Sequence, residues 1–381
     1  MQFELTEDQK MIQKMVRDYA ENEIAPHVDE WEANHYFSRD NFKQLAALGM
    51  AGIYAPEEYG GSGLGSLEGA IIIEQLGRVM RGMNYLAVHN MVVKDIVAYG
   101  NKSQIERFAI PLIKGEKMGS ICITEPGAGS DVGAMTSYAK PEGDHYVLNG
   151  SKVFITGAGE SDFYLILCKT DKTVSNSLKG MSLFVIQKGD PGFTISPPEN
   201  KMGLASVPVC QIFFEDVKIP KENLIGEENK GFYHFAEGIN VGRINVAAEA
   251  VGGAQASLEA SLNYARERKT FGQPIIEYGA IQSKIATMAI NIEAARLLVY
   301  QAAWLVDKGV RAVKQCSIAK KFATDISFQA AAEAIQIHGG YGYLRDYKVE
   351  RYLREAKRGQ IVEGTNEIQD RLIVTEIKRE F

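Results

Sequence analysis

The sequence contains few cysteines and no long apolar run. Four cysteines occur among 381 residues, and no two of them form a C-x-x-C pair. This scarcity argues against a disulfide framework or a structural zinc site, and it favours a reducing, cytoplasmic location. No apolar run reaches the roughly 18 residues that a membrane span requires. The first ten residues, MQFELTEDQK, also lack the basic-then-apolar order of a signal peptide.

Neither sign of charge dominates. The chain carries 42 Lys and Arg against 48 Asp and Glu, a formal net charge of −6. Proteins that bind nucleic acid normally present a basic surface, so no nucleic-acid partner is expected. Hydrophobic residues make up 45% and charged residues 24% of the chain, and this mixture favours a globular protein over a disordered one.

Several familiar catalytic motifs are missing. The sequence has no H-E-x-x-H, no G-x-x-x-x-G-K-[ST] and no G-x-S-x-G motif, and its six histidines lack metal-ligand spacing, so no metal site is expected. Gly127-Ala128-Gly129 begins like a dinucleotide fingerprint, but Val132 stands at the third glycine position. This difference argues against a nicotinamide-type Rossmann site.

The pattern along the chain predicts three domains, at residues 1–117, 118–225 and 226–381. The first stretch reads as helices, because Thr6 and Gln9 fit a capping box and Ser38 fits the N-cap of a later helix. The second holds short apolar runs separated by Gly, Pro, Asp and Asn, which predict an antiparallel β-barrel or sandwich. The third returns to apolar stripes at helical spacing, which predict a helical bundle.

Five segments hold residues suited to binding or catalysis, although each has an ordinary structural explanation when taken alone. They are 121-ICITEPGAGSDVG-133, 151-SKVFITGAGESD-162, 264-YARERKTFGQP-274, 336-QIHGGYGY-343 and 361-IVEGTNEIQ-369. The first two place glycines and hydroxyls at the ends of predicted strands. Glycines there let backbone N–H groups approach a polar ligand closely.

The other three segments suggest different chemistry. In the third, Arg268 suits phosphate binding, and Phe271-Gly272 is expected to end a helix. In the fourth, a helix ends at Gly339-Gly340 and leaves its last carbonyls and Gln336 available to a ligand. In the fifth, Glu363 follows two apolar residues, and apolar surroundings raise the pKa of a carboxyl group towards that of a general base. A surface glutamate is the simpler explanation for that segment alone.

Together and in this order, the five segments resemble the acyl-CoA dehydrogenase family over the whole chain. The resemblance implies a mainly helical α+β fold with an N-terminal helical domain, a middle antiparallel β-barrel and a C-terminal four-helix bundle. It also implies a homotetramer, built as a dimer of dimers, with one FAD per subunit. The implied reaction is the oxidation of an acyl-CoA thioester to the 2-enoyl-CoA in fatty acid or carboxylic acid degradation, with electron-transfer flavoprotein as the electron acceptor.

The resemblance assigns roles position by position. FAD contacts are expected at Ile121, Cys122, Ile123, Thr124, Gly129, Ser130, Phe154, Ile155, Thr156, Arg268, Phe271, Gln336, Gly339, Gly340, Thr365, Asn366 and Glu367. Substrate contacts are expected at Ser130, Asn240, Val241, Gly242, Arg243 and Gly364. Glu363 matches the catalytic base, which removes the α-proton while the β-hydride passes to flavin N5.

Some positions depart from the family pattern. Gly242 stands where some relatives carry the base instead, so Glu363 is the only candidate at either location. Val362 replaces a common Tyr, which favours a short, branched or cyclic acyl group. Gly279 replaces a Gln that contacts FAD across a subunit interface, and residues 201–211 lack the usual Arg and Thr, so these contacts are expected to be lost or altered.

The segment expected to line the acyl cavity, residues 84–93, holds His89 and Asn90 but no carboxylate. A dicarboxylyl substrate is therefore not indicated there. Three functions stay open: an FAD-dependent dehydrogenase, including one for branched or cyclic acyl groups; a relative that returns electrons to oxygen, like an acyl-CoA oxidase; and a non-catalytic flavin-binding protein, which the intact Glu363 disfavours.

Overall fold

The computed structural model describes residues 4–380. Its first part is helical, with α1 (Glu7–Tyr19), α2 (Val28–Asn34), α3 (Arg39–Ala47), α4 (Ser66–Val79), α5 (Asn84–Tyr99), α6 (Lys102–Gln104) and α7 (Ile110–Ile113). The predicted capping box is present, because Thr6 Oγ1 accepts from the Gln9 N–H at 3.2 Å and Gln9 Oε1 accepts from the Thr6 N–H at 3.0 Å. Ser38 caps α3 by accepting from the Asn41 N–H. Both helix starts are therefore confirmed.

The middle part is a sheet of eight strands. They are β1 (Gly119–Cys122), β2 (Tyr138–Glu142), β3 (His145–Thr156), β4 (Phe163–Lys169), β5 (Met181–Gln187), β6 (Phe193–Ile195), β7 (Val209–Pro220) and β8 (Leu224–Ile225). The strands lie in the order β6-β7-β3-β2-β4-β5-β8, and β1 pairs with β4. Most neighbours are antiparallel, as the turn-rich sequence predicts.

Two strand pairs depart from the antiparallel prediction. β1 and β2 each run parallel to β4. The backbone explains the first case, because Met118 O accepts from the N–H groups of both Asp162 and Phe163, which aligns the start of β1 with the start of β4. β1 follows the helix α7 rather than a hairpin, so a tight turn does not impose an antiparallel direction on it.

The last part is again helical. It comprises α8 (Gly231–Glu267), the short strands β9 (Lys269–Thr270) and β10 (Gln273–Pro274), and the helices α9 (Gly279–Asp307), α10 (Val313–His338), α11 (Val349–Gly359) and α12 (Asn366–Glu380). The expectation that Phe271-Gly272 ends a helix is wrong. Helix α8 ends at Glu267, and Phe271-Gly272 form the turn between β9 and β10, where both residues have positive φ.

Helix α8 packs against the N-terminal helices and against α9 and α10 in one continuous core. Its middle is rich in small residues, and a Cβ added to Gly252 would collide with the backbone oxygen of Glu74 on α4. The glycine therefore lets the two helices approach closely. A second core joins α5 and α7 to the sheet, and a third lies within the β-domain.

The mainly helical α+β fold with N-terminal, middle and C-terminal domains is confirmed, whereas the exact boundaries at residues 117 and 225 stay a prediction. Helix α5 connects the domains, since it contacts β1 on one side and α8 on another. Within residues 4–380, no helix is both long enough and apolar enough to cross a membrane.

Candidate active site

Glu363 lies in the short loop between α11 and α12. Its backbone has a φ of 55°, a conformation that costs a residue with a side chain free energy and that tends to occur at functional sites. Gln369 holds the loop in this shape, because its Nε2 donates to Glu363 O at 3.1 Å and to Gly364 O at 2.8 Å. The position of the glutamate is thus fixed by the first turn of α12.

A buried lysine on α10 fixes the same loop from the other side. Lys320 Nζ donates to Gly364 O at 2.9 Å and to Asn366 Oδ1 at 2.8 Å. Burial lowers the pKa of Lys320 to about 8, although Glu363 and Asp325 oppose the shift. Sequence reasoning did not identify this lysine, because its two partners lie 44 and 46 residues further along the chain.

The Glu363 carboxyl group lies against α8. A Cβ added to Gly242 would come within 2.9 Å of Glu363 Oε2 and within 2.9 Å of Met91 Sδ. The two positions at which a base was expected therefore meet at one place, and Gly242 leaves the room that the carboxyl group occupies. Helices α5, α8 and the α11–α12 loop converge here.

The surroundings of Glu363 suit a proton acceptor. Burial raises the pKa of the Glu363 carboxyl group, while the positive charges of Arg243, Arg358 and Lys320 oppose that shift. Burial lowers the pKa of Arg243, and the charge of Glu363 opposes it. A carboxyl group with a raised pKa binds a proton more readily than a surface carboxylate does.

The first two sequence segments lie side by side. The Val153 N–H donates to Thr124 O at 2.8 Å, and Ser120 Oγ donates to Thr156 O at 2.7 Å. Between them, Phe154 has a φ of 59° and presents 69% of its surface to solvent. A strained, exposed aromatic residue beside Thr124 is suited to contact with a planar ring system.

A buried ion pair supports this pair of segments. Lys152 Nζ lies 2.9 Å from Glu125 Oε1 and donates to Ile123 O at 3.0 Å, and its side chain is fully buried. Burial alone would raise the pKa of Glu125, but Lys152 and the hydrogen bonds from Ser137 and Thr136 outweigh it and hold the pKa at about 2. Because Lys152 lies on β3 and Glu125 lies in the loop after β1, no local sequence pattern predicts the pair.

The loop after β1 is open. A Cβ added to Gly127 or Gly129 would meet nothing within 4 Å, and Ser130 is exposed. The backbone N–H groups of this loop are thus accessible to a ligand. Cys122 differs, because its thiol is buried in the β-domain core.

The third and fourth sequence segments meet in one cavity of about 430 Å³. Arg268, Gly339 and Gly340 line it, together with Thr270, His338 and Tyr341. Added Cβ atoms on the two glycines would meet nothing within 4 Å, so their backbone is open to the cavity. The Gly339 N–H donates to Gln336 O, so the guanidinium group of Arg268 and the open backbone at Gly340 are the groups here that fit a pyrophosphate.

Two residues predicted for this region lie outside the cavity lining. Gln336 is exposed on the last turns of α10, and Phe271 is 99% exposed at the tip of the β9–β10 hairpin. Neither packs against a core within the subunit. Their exposure is compatible with contacts to a neighbouring subunit, which the resemblance implies.

Three protein-family models match the chain: the N-terminal domain of acyl-CoA dehydrogenase at residues 6–116, the middle domain at 120–217 and the C-terminal domain at 229–378. The chain is 41% identical to a 3-(aryl)acrylate reductase of Clostridium sporogenes, over 98% of this chain and 99% of the relative. It is 40% identical to a mitochondrial isobutyryl-CoA dehydrogenase of Dictyostelium discoideum, over 99% and 90% respectively. The chain belongs to the acyl-CoA dehydrogenase family.

A solved structure agrees with this membership. The butyryl-CoA dehydrogenase from Megasphaera elsdenii superposes with a TM-score of 0.96 at 38% identity, over 99% of this chain and all of that one. This chain and the Megasphaera enzyme therefore share the order of helical, β and helical domains over nearly their whole length. The predicted family is confirmed.

In this family member, four of the six residues predicted to contact the substrate, 240–243, lie on α8, whereas Ser130 lies in the loop after β1 and Gly364 follows Glu363. Val241, Gly242 and Arg243 are buried, and Arg243 Nη1 donates to Asn240 Oδ1 at 3.1 Å. Arg243 Nε has no hydrogen-bond partner within residues 4–380. A buried guanidinium group with a free donor next to the base is suited to hold an oxygen of a ligand.

The residues after Glu363 have mixed surroundings. Thr365 is half-buried and Glu367 is exposed, so both are accessible to a ligand. The Asn366 amide is buried and donates to Asp325 Oδ1 at 2.8 Å while it accepts from Lys320. Its side chain therefore stabilises the loop from inside.

His89 and Asn90 on α5 are structural. His89 Nε2 lies 3.2 Å from Leu112 O, and its Nδ1 accepts from the Gly119 N–H at 3.2 Å. Burial lowers the pKa of His89 to about 4, so the ring is neutral. Asn90 likewise bonds to backbone groups on both sides. His89 thus fixes α5 against α7 and β1, and Asn90 fixes it against residues 50–53.

An acidic residue on α5 just beyond residues 84–93 was not predicted. Asp95 follows Met91 by one turn of α5, and a Cβ added to Gly238 would come within 2.7 Å of Asp95 Oδ1. Gly238 in turn precedes Gly242 by one turn of α8. Asp95 and Glu363 therefore face the same strip of α8, one helical turn apart. Because Lys94 precedes it, the local pattern fits an exposed charged position, and the sequence offered no signal that Asp95 is buried.

Proposed function

We propose that this protein is an FAD-dependent acyl-CoA dehydrogenase in which Glu363 removes the α-proton of the thioester. The observation that carries this proposal is the Glu363 carboxyl group itself, which lies between α5 and α8 with a raised pKa and is held there by Lys320 and Gln369. A base in a fixed position next to the α-carbon is what this chemistry requires.

In this proposal the chain's own groups handle the proton and the thioester. Glu363 accepts the α-proton, and its backbone N–H donates to the thioester oxygen as negative charge develops there. Arg243 and Asn240 orient the substrate, with Ser130 and Gly364 at the thioester arm. Bound FAD supplies the acceptor for the hydride that leaves the β-carbon.

The groups proposed to hold FAD form two sets. The first lies at the ends of β1 and β3 and comprises Ile121, Cys122, Ile123, Thr124, Gly129, Ser130, Phe154, Ile155 and Thr156. The second comprises Arg268, Phe271, Gln336, Gly339, Gly340, Thr365, Asn366 and Glu367. The exposed Phe154 ring and the cavity beside Arg268 support these assignments.

The same proposal includes a homotetramer, and the exposed apolar face of α9 supports self-association. Ile290, Leu297 and Trp304 are exposed apolar residues that recur at seven-residue spacing on this helix. Seven residues are close to two turns, so the three side chains lie along one face. A long apolar face on a helix is normally covered by another chain.

The cysteines support the proposed cytoplasmic compartment. All four cysteines are free and buried, which is compatible with the cytoplasm. Electron-transfer flavoprotein is the proposed acceptor. The name of the Clostridium relative also raises the reverse reaction, since a carboxyl group that accepts an α-proton in one direction donates it in the other.

Anaerobic titration of the purified flavoprotein tests the proposal. Butyryl-CoA, isobutyryl-CoA and cyclohexanecarbonyl-CoA are added in turn, and the flavin absorbance at about 450 nm is followed. We expect at least one thioester to bleach the flavin. If none does, the proposed dehydrogenation is wrong. Reoxidation by oxygen, compared with reoxidation by electron-transfer flavoprotein, then separates an oxidase from a dehydrogenase.

A further inference from the structure

One face of helix α8 carries both the base and a separate ion pair. The Glu363 carboxyl group lies against Gly242, and further along the same helix Arg358 Nη2 donates to Glu249 Oε2. Residues 242 and 249 are seven apart, which is close to two turns of helix, so they face the same side. The ion pair and the base therefore lie about 10 Å apart along α8.

Glu249 is enclosed by its neighbours. The residue is 5% exposed, and a Cβ added to Gly77 on α4 would come within 2.9 Å of the Glu249 Cα. The Arg81 guanidinium group lies across Gly253, one turn further along α8, and it attracts Glu249 as well. A buried carboxylate needs cationic partners, so Glu249 keeps the Arg358 guanidinium group against α8.

Arg358 also lies where the loop of the base begins. Helix α11 ends at Gly359, and Arg358 O accepts from the N–H groups of Ile361 at 2.9 Å and Val362 at 3.1 Å. Its Nε has no hydrogen-bond partner within residues 4–380. The side chain of Arg358 thus joins the start of this loop to α8, and no ligand contact is assigned to it.

Charged groups from four helices act on Glu363. They are Asp95 on α5, Arg243 on α8, Lys320 on α10 and Arg358 on α11, whereas α12 contributes the neutral Gln369. Burial raises the pKa of Asp95 to about 8, so this residue is mainly protonated at neutral pH. The charges that favour an ionised Glu363 are therefore the three cations.

Arg358 differs from the other two cations. Burial lowers the pKa of Lys320 to about 8, so Lys320 loses its charge as pH rises through that value. Arg243 is assigned to the substrate in the proposed function. An arginine remains protonated at every working pH, and Arg358 is bonded to Glu249 rather than to a ligand. Its charge is present with or without substrate.

We propose that Arg358 is a positioning residue for the reaction: Glu249 holds its guanidinium group against α8, and its positive charge favours the ionised form of Glu363. The inference rests on the proposed function, because it takes Glu363 as the base. At an effective dielectric constant of about 20, a unit charge about 10 Å away changes a pKa by up to about one unit. The negative charge of Glu249 offsets part of this effect.

The kinetic test measures flavin reduction in the holoenzyme by saturating butyryl-CoA between about pH 5 and pH 9. Arg358→Met should raise the apparent pKa of the rate profile by roughly 0.5 to 1 unit, because the carboxylate loses a favourable charge. Arg358→Lys should keep the profile close to that of the wild type. Lys357→Met is the matched control, since it removes an exposed cation from the same helix turn and should not move the profile.

A substitution of Glu249 tests the sign of the effect. Glu249→Gln keeps an acceptor for Arg358 but removes the negative charge that offsets it. The apparent pKa should then fall or stay the same. If it rises in both Glu249→Gln and Arg358→Met, the two changes disturb the loop by a shared structural route, and the electrostatic role of Arg358 is wrong.

A stability measurement on the holoprotein tests the same charge without catalysis. Because folding raises the pKa of Glu363, the free energy of unfolding decreases as pH rises from the unfolded pKa to the folded one. The Tm difference between the wild type and Glu363→Gln therefore changes only within this pH window. When Arg358→Met is added to both proteins, the window should extend to higher pH.

The outcomes separate this inference from the function on which it rests. If butyryl-CoA reduces the flavin but Arg358→Met moves neither the rate profile nor the Tm window, the role of Arg358 is wrong while the dehydrogenase stands. If no thioester reduces the flavin, the proposed function fails, and the Tm series alone decides whether Arg358 acts on Glu363. Should Arg358→Met not fold, Arg358→Gln decides, because it removes the same charge and still donates to Glu249.

Discussion

Glu363 and Gly242 share one space: a Cβ on residue 242 would come within 2.9 Å of the Glu363 Oε2 atom. The missing side chain on α8 and the carboxyl group on the α11–α12 loop are therefore complementary. A helix interior normally favours alanine over glycine by roughly 1 kcal/mol, so the glycine is retained here for room rather than for helix stability.

Replacing Gly242 with Ala should slow catalysis while the fold persists. The added methyl group would displace the Glu363 carboxyl group or Met91, and a misplaced base loses about tenfold to a hundredfold in rate. Stopped-flow reduction of the flavin by butyryl-CoA measures this. FAD content and Tm serve as controls, because alanine favours the helix. A variant that reduces its flavin at the wild-type rate would show that the carboxyl group does not depend on this space.

Glu363→Gln should keep FAD and bind the thioester but lose flavin reduction by about 10²- to 10⁴-fold, the usual contribution of a general base. Glu363→Asp is the matched control and should retain part of the rate. In the wild type, the reduction rate should fall as pH decreases through the raised pKa of Glu363, because protonation removes the base. Normal reduction by the Gln variant would exclude Glu363 from the reaction.

The Asp95 carboxyl group should make stability depend on pH. Its pKa rises from the ordinary 3.8 to about 8 in the folded protein. The folded state therefore binds more protons than the unfolded state between these values, and the free energy of unfolding decreases as pH rises through this window. Asp95→Asn removes the effect. We expect its Tm to exceed that of the wild type by about 2 °C or more at pH 8. The two Tm values should converge at pH 4, and a constant difference would contradict the shift.

Lys152→Met should destabilise the β-domain strongly. It would leave Glu125 buried without its cation, and breaking a buried ion pair costs about 3–5 kcal/mol. Lys140→Met provides a matched control, because the Lys140–Glu142 pair is exposed and should contribute less than about 1 kcal/mol. Urea unfolding of the apoprotein would compare the two variants. Equal losses of unfolding free energy in the two variants would mean that the buried pair stabilises the protein no more than the exposed pair does.

Trp304→Glu should weaken self-association. It would place a charge within the exposed apolar stripe of α9, and a buried unpaired charge opposes association. Met11→Glu is the control, since Met11 is also an exposed apolar side chain but lies on α1. Light scattering after gel filtration should give a smaller assembly for Trp304→Glu only. A tetramer in both variants would place the interface elsewhere.

Local signals predicted much of the fold. The caps at Thr6 and Ser38 and the apolar strands with their turns depend on neighbouring residues, so the sequence shows them directly. The parallel direction of β1 depends instead on Met118 meeting Asp162, and such pairing leaves no local pattern. The expected end of a helix at Phe271 failed because Gly after an aromatic residue also suits a hairpin turn.

Some residues of the candidate site could be predicted from the sequence, and others could not. Glu363 was found because the family resemblance includes its neighbours in sequence. Lys320, Lys152 and Asp95 were not found, because each depends on a partner that only the folded chain brings near. Their partners are a loop carbonyl, a glutamate in the loop after β1 and a glycine on another helix. None of these relationships produces a periodic pattern.

The antiparallel register of α5 and α8 has a consequence for which substitutions the two helices tolerate. Met91 lies against Gly242 and Asp95 lies against Gly238, so two glycines on α8 each receive a larger side chain of α5. A larger residue at 238 or 242 would meet its partner on α5 unless that partner became smaller. Changes at 91 and 242, or at 95 and 238, are therefore expected to occur together.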